Sequence, residues 1–204
     1  QVSQTEVGGS LFSFYGYVCD GYYTSKEDIE NSPTPVHPGV DGVYAKNSTV
    51  WVGDIKYKDL SGPDGVPDGK IDAYDRTDIG SPLPKFTFGW TNTFRWNNFD
   101  LNIFINGSYG NKVGNYNKHK LTHMNNTWIN QLTDVLGATR LEPIDAAKDY
   151  SAGVDRGDGV LIYNWYDDIN NVRIANPGAS LPRMSMNDPN DNDRWSDRYI
   201  EDGN

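Results

Sequence analysis

In KFTFGWTNTFRW, residues 85–96, apolar side chains recur at every second position. Phe86, Phe88, Trp90, Phe94 and Trp96 fall on one face, interrupted only by Asn92, while Thr87, Gly89, Thr91, Thr93 and Arg95 fall on the other. That period of two predicts a long β-strand. Asn97-Asn98-Phe99-Asp100 makes a tight connection, after which LNIFINGSYG alternates again. Leu101, Ile103, Ile105 and Tyr109 share one face and Asn102, Asn106 and Ser108 the other, with Phe104 the exception. Two long strands joined by a short turn make a β-hairpin. Its setting is either an antiparallel sheet with one buried face, or a membrane β-barrel, whose strands cross the bilayer in about 9–11 residues. Aromatics at the ends of the apolar faces and amide or hydroxyl side chains opposite them suit interface girdles and a hydrated lumen. Periodicity by itself leaves both settings open.

Elsewhere the pattern is weaker. GGSLFSFYGYVCDGYY (8–23) reads as an extended segment entering a turn. SKEDIEN reads as a short helix, with Ser25 and Asp28 in a variant of the capping box. Residues 32–48, rich in Pro and Gly, read as loop, and STVWVGDIKYKDL returns to strand-like composition. Residues 111–193 carry little strand periodicity. Within them Leu121, Met124, Trp128, Leu132, Val135 and Leu136 stand at helical spacings that end at Gly137, a C-cap residue. A connection of this length without strong structure is usually functional.

Composition favours β-structure with turn-rich loops. Of 204 residues, 13% are aromatic, 21 are Gly and 11 are Pro; aromatics favour pleated surfaces, and Gly and Pro interrupt helices. A net charge of −10 argues against a nucleic-acid partner, whose phosphates would be repelled. The single cysteine, Cys19, excludes an internal disulfide. No apolar run is long enough for a transmembrane helix. The chain opens on Gln1 with no apolar leader, which suggests a mature or cut product.

The acidic run DLSGPDGVPDGKIDAYDRTDIGSP (59–82) is the best local motif for chemistry. From Asp64 it resembles a calcium loop of the EF-hand kind, with Asp68, Asp72 and Asp75 as further oxygen ligands, Gly69 at the sharp turn and Ile71 as the anchor. Position 3 is Val66, without a side-chain oxygen, and the last ligand is Asp where Glu is usual. A second register starts from Asp59 and Ser61. Ca2+ is the cofactor this implies; the alternative is a solvated turn whose aspartates cap backbone amides. His119 and His123 have the i, i+4 spacing of zinc ligands, but Lys120 stands where a zinc-protease Glu would, so a surface helical pair is the better reading. Arg156-Gly157-Asp158 matches an adhesion tripeptide and equally a turn. There is no phosphate-binding glycine loop, no nucleophile elbow and no selected carboxylate pair, so an enzyme is not expected. Exposed Trp and Tyr in the long loops suit stacking on sugar rings.

Four blocks in order carry a family resemblance: GSLFSFYGYVCDGYYTSKEDIEN, VGDIKYKDL, DGKIDAYDRTDIGSPLPKFTFGWTNTFRWNNFDLNIFINGSYGN and NDNDRWSDRYIEDG. Together they are similar to the SusC/RagA-type TonB-linked outer-membrane transporters; residues 111–187 carry no matching motif. The resemblance implies an all-β fold, a portion of an antiparallel transmembrane β-barrel of about 22 strands with long extracellular loops and short helices. It implies import of glycans or peptides across a Gram-negative outer membrane, with a SusD-like surface lipoprotein and with TonB acting through regions that have no counterpart here. The chain would then be a piece of the C-terminal half. It divides into a strand and extracellular-loop segment (1–58), the acidic loop (59–82), the barrel hairpin (83–110), a long extracellular loop with a short helix (111–193) and a lead-in to the next strand (194–204). If the hairpin turn is periplasmic, the acidic run lies outside the cell, where a weak calcium site has ample ion. The alternative function is a soluble calcium-dependent glycan-binding β-domain.

Overall fold

The structure, a computed structural model, describes residues 2–35, 50–124 and 128–203. Its regular structure is mostly β, in short strands, with two short α-helices. Among the described residues the strands form small sheets, the largest of three strands, and no closed barrel.

The hairpin is the longest element. Phe86–Trp96 and Phe99–Tyr109 pair antiparallel in unbroken register from Phe86↔Tyr109 to Trp96↔Phe99. Only Asn97 and Asn98 remain for the turn, and Asn97 takes φ 53°, a left-handed conformation that Asn tolerates. Phe99 and Asp100, expected in the connection, already belong to the ladder.

At the open end of the hairpin both strands continue into further pairing. Lys85 N donates to Tyr109 O at 2.8 Å and Lys112 N to Ser81 O at 2.7 Å. Before them, Thr77–Gly80 runs antiparallel to Ser13–Gly16, which also pairs with Ser3–Gln4. After them, Lys112–Gly114 runs antiparallel to Ile200–Asp202. The rim is therefore two antiparallel sheets, 3–4, 13–16, 77–80 and 112–114, 200–202, joined by the Lys112 N bond to Ser81 O. Gly16 is required there: a Cβ would lie 2.4 Å from Trp195 O, the carbonyl to which Tyr17 N donates at 3.0 Å.

The apolar core lies beyond the rim. Tyr23, Ile29, Val50, Trp51, Val52, Ile169 and Val172 form one buried cluster, with Leu141, Trp165 and Ile174 packed against it. Ile55, Tyr57 and Ile71 form a second. Residues from 111–193 thus share a core with residues from 1–58. Leu141–Pro143 pairs with Val172–Ile174, and Val154–Asp155 with Leu161–Ile162.

The expected helix at Lys26–Glu30 is present. Asp28 N donates to Ser25 Oγ at 3.2 Å, and the Asp28 carboxylate accepts from Thr24 N at 2.9 Å. The helical spacing after Leu121 does not give one helix. Tyr116–Leu121 is α-helical, Thr133–Gly137 is a 3₁₀ turn, and residues 125–127 lie outside the described residues. Thr122 Oγ1 turns back to Lys118 O at 2.7 Å, a side-chain bond of the kind that weakens a helix end. Trp128 and Leu136, read as an apolar stripe, are 95% and 72% exposed. Residues 36–49, most of the Pro/Gly-rich stretch expected as loop, also lie outside the described residues.

His119 and His123 correct the reading of a surface pair. The His119 ring packs against Tyr116, Trp195, Tyr199 and His123, with its centroid 4.8 Å from that of Tyr199, and Nε2 meets Asp193 O at 2.7 Å. Burial lowers the His119 pKa, outweighing the Asp193 carbonyl that raises it.

A polar hub joins the two halves of the sequence. The fully buried Asp54 carboxylate accepts from Arg183 Nε at 2.6 Å, Arg183 Nη2 at 3.1 Å, Asn192 Nδ2 at 3.0 Å and Trp51 N at 2.8 Å. Removing one member of such a pair strands the other charge. Arg183→Met is expected to lower stability by about 3–5 kcal/mol, read from urea unfolding; a change below about 1 kcal/mol would contradict the hub. For His119 the sign follows from its lowered pKa: the unfolded chain takes the proton more readily, so stability falls as pH drops from about 7 towards 5. His119→Phe should flatten that part of the profile, and an unchanged slope would remove His119 as its source.

Candidate functional site

The candidate site is the hairpin face, with the acidic run leading into it. Because the ladder is in register, the apolar positions of both strands fall on one side: Phe86 with Tyr109, Trp90 with Ile105, Asn92 with Ile103, Phe94 with Leu101 and Trp96 with Phe99. Phe88 faces Gly107, and its ring lies where a Cβ on that glycine would be, 2.6 Å from the ring tip. The opposite side carries Thr87 with Ser108, Gly89 with Asn106, Thr93 with Asn102 and Arg95 with Asp100, the last an ion pair at 3.2 Å. Phe104, across from Thr91, is the apolar exception on this polar side.

Nothing among the described residues covers the apolar side. Phe86, Phe88, Trp90, Phe94, Leu101, Ile105 and Tyr109 are each about half exposed, and Trp96 and Phe99 at the turn are 80% and 73% exposed. Leu101, Ile103 and Ile105 occupy the middle with Trp90 across from Ile105, and further aromatics stand at both ends. Eleven residues at about 3.3 Å each, tilted by about 45°, span about 25 Å, the height of a barrel's apolar band.

The acidic run is folded on itself by carboxylate–backbone bonds. Asp75 is fully buried; Oδ1 accepts from Leu60 N at 2.8 Å and Ser61 N at 3.3 Å, and Oδ2 from Asp72 N at 2.7 Å. Asp72 Oδ1 accepts from Tyr74 N, Asp68 Oδ1 from Lys70 N, and Asp59 Oδ2 from Gly69 N. These bonds bring 59–61 against 69–75. Asp64 stands apart on an exposed turn, next to Gly65 at φ 75°. Asp59 Oδ1 is buried with no hydrogen-bond partner. Among the described residues no three His, Cys, Asp or Glu side chains gather as a metal ion would need. Arg156 and Asp158 of the RGD tripeptide pair with each other at a hairpin tip, where Asp155 Oδ1 takes Gly157 N and Gly159 N.

The loop 188–192 holds polar residues that no motif for chemistry in the sequence singled out. Asp188, Asn190 and Asn192 are buried there, two residues apart; Asn190 and Asn192 bond to Ile55, and Asn192 also to Asp54 and Asp188. The alternating acid and amide of NDPNDND was the available signal.

No family model matches the chain. Curated relatives do. TonB-dependent receptor P3 of Formosa agariphila is 34% identical over 116 residues, 55% of this chain and 10% of that receptor. TonB-dependent receptor P26 of the same organism is 34% identical over 109 residues, 53% of this chain and 9% of that receptor. TonB-dependent receptor P39 is 29% identical over 169 residues, 74% of this chain and 16% of that receptor. The chain therefore spans between about a tenth and a sixth of the length of these relatives. It is a distant, partial homologue of TonB-dependent receptors.

Proposed function

We propose that these residues form part of a SusC-type TonB-dependent transporter in a Gram-negative outer membrane, importing glycans or peptides together with a SusD-like lipoprotein. The observation that carries this reading is the hairpin's uncovered apolar side, backed by a polar side and ending in aromatics, in a chain homologous to TonB-dependent receptors. In this reading Asn97–Asn98 is the periplasmic turn, the rim strands stand at the outer surface, and the rest of the chain is extracellular. Exposed Trp128, Tyr163 and Tyr166 are then available to a sugar ring entering from outside. The chain performs no chemistry on the cargo, and TonB acts through parts of the receptor outside these residues. The alternative, a soluble calcium-dependent glycan-binding domain, would need Phe86, Trp90 and Ile105 in a core, and they are not in one.

Calcium at the acidic run is a second element of the proposal, supported by the unpartnered Asp59 Oδ1. An ion there would rest on Asp59 Oδ1, with backbone carbonyls and water as its further ligands, since Asp68, Asp72 and Asp75 accept backbone amides and Asp64 stands apart.

Two results test these readings. Ile105→Lys, near the middle of the ladder, should cost about 2–4 kcal/mol on folding into vesicles, whereas Asn106→Lys on the polar side should cost little. Equal effects would sink the membrane assignment, as would a monodisperse monomer of the 204 residues in plain buffer. Millimolar Ca2+ should raise the melting temperature, and Asp59→Ala with Asp68→Ala should reduce that shift; an unreduced shift removes the ion from this loop.

A further inference from the structure

Asp188, Asn190 and Asn192 alternate along one loop and are 9%, 0% and 4% exposed. The Asn192 amide holds the other two: its Nδ2 donates to Asp188 Oδ1 at 2.6 Å, and its Oδ1 accepts from Asn190 Nδ2 at 3.1 Å. Asn190 Nδ2 also donates to Ile55 O at 3.0 Å, and Ile55 N to Asn192 Oδ1 at 2.8 Å. Every side-chain donor in the group is used, yet two oxygens, Asp188 Oδ2 and Asn190 Oδ1, are buried with no partner. Turning the Asn190 amide over does not help, because its oxygen would then face Ile55 O and Asn192 Oδ1.

The charges around Asp188 deepen the mismatch. Burial, with the nearby carboxylates of Asp54 and Asp193, raises its pKa against the Asn192 backbone and side-chain bonds that favour the charged form. A buried carboxylate oxygen and a buried amide oxygen without donors are costly unless a cation meets them. No three His, Cys, Asp or Glu side chains converge among the described residues, which leaves out a zinc-like site. Carboxylate and amide oxygens are the ligands of hard cations, and acid, amide, amide at i, i+2 and i+4 is the spacing of the first three ligands of a calcium loop. Asp193 stands where such loops carry Gly, and Asn192 is spent on holding its neighbours.

We propose that the 188–192 loop binds a calcium ion through Asp188 Oδ2 and Asn190 Oδ1, completing the buried hub that ties this loop to Asp54 and Ile55. The site is separate from the acidic run. With one free carboxylate its affinity belongs at the weak end, a Kd of about 10⁻⁴–10⁻³ M.

The test is thermal melting of the full chain in detergent, with the acidic run silenced by Asp59→Ala and Asp68→Ala. Moving from EDTA to about 5 mM Ca2+ should raise the melting temperature by about 3 °C, and NaCl at matched ionic strength should not. Asp188→Asn should abolish the shift and, in EDTA, melt no lower than its parent, because it removes a buried unpaired charge. Asn190→Asp should melt lower in EDTA and gain a larger calcium shift. No shift in the parent, an equal shift in NaCl, or a shift that survives Asp188→Asn overturns the proposal. Should Asp188→Asn fail to fold, Asn190→Asp decides, and an unenlarged shift counts against it.

Discussion

The constraint on which this molecule turns is the register of one ladder. Phe86↔Tyr109 through Trp96↔Phe99 contains no bulge, so two sequences that each alternate are phased to put their apolar side chains on one side. A slip of one residue would send the second strand's leucine and isoleucines to the polar side. The result is a continuous apolar surface with no partner among the described residues. In the proposed reading a bilayer covers this surface and a hydrated lumen meets its reverse side. At the hairpin's open end the short strands 77–80 and 112–114 carry the pairing on to 13–16 and 200–202.

That arrangement depends on polar chemistry more than on apolar bulk. The rim strands are two to four residues long and supply few contacts by themselves. Gly16 permits the backbone of 195–197 to approach, and the Asp54 hub fastens the loop near 190 and Arg183 to the core strand at Ile55–Tyr57. In the acidic run, too, carboxylates replace missing sheet partners by accepting backbone amides. A loop-rich surface with little hydrophobic content keeps its shape in this way, at the cost of burying groups that must stay paired.

Much of the hairpin was legible in the sequence because period-two alternation is a direct projection of strand geometry. The short helix at Lys26–Glu30 was legible from Ser25 and Asp28. The stretch from Leu121 to Leu136 misled, since helical spacing was present while Thr122 turned its hydroxyl back onto Lys118 O at the helix end. The His pair misled for a different reason. Its burial comes from Trp195 and Tyr199, more than seventy positions away, and no local pattern carries that. The hub was hidden likewise, because Asp54 and Asn192 are 138 positions apart and meet only in the fold.

The central claim, that one side of the hairpin meets lipid, is most directly tested residue by residue. Single cysteines from Phe86 to Tyr109, placed in the whole receptor in bilayers and labelled with a fluorophore, would be quenched by brominated lipid chains. The account predicts quenching that alternates with a period of two, strong at positions 90, 94, 101 and 105 and weak at 91, 93, 102 and 106. Uniformly weak quenching, or strong quenching at the second set, would contradict it.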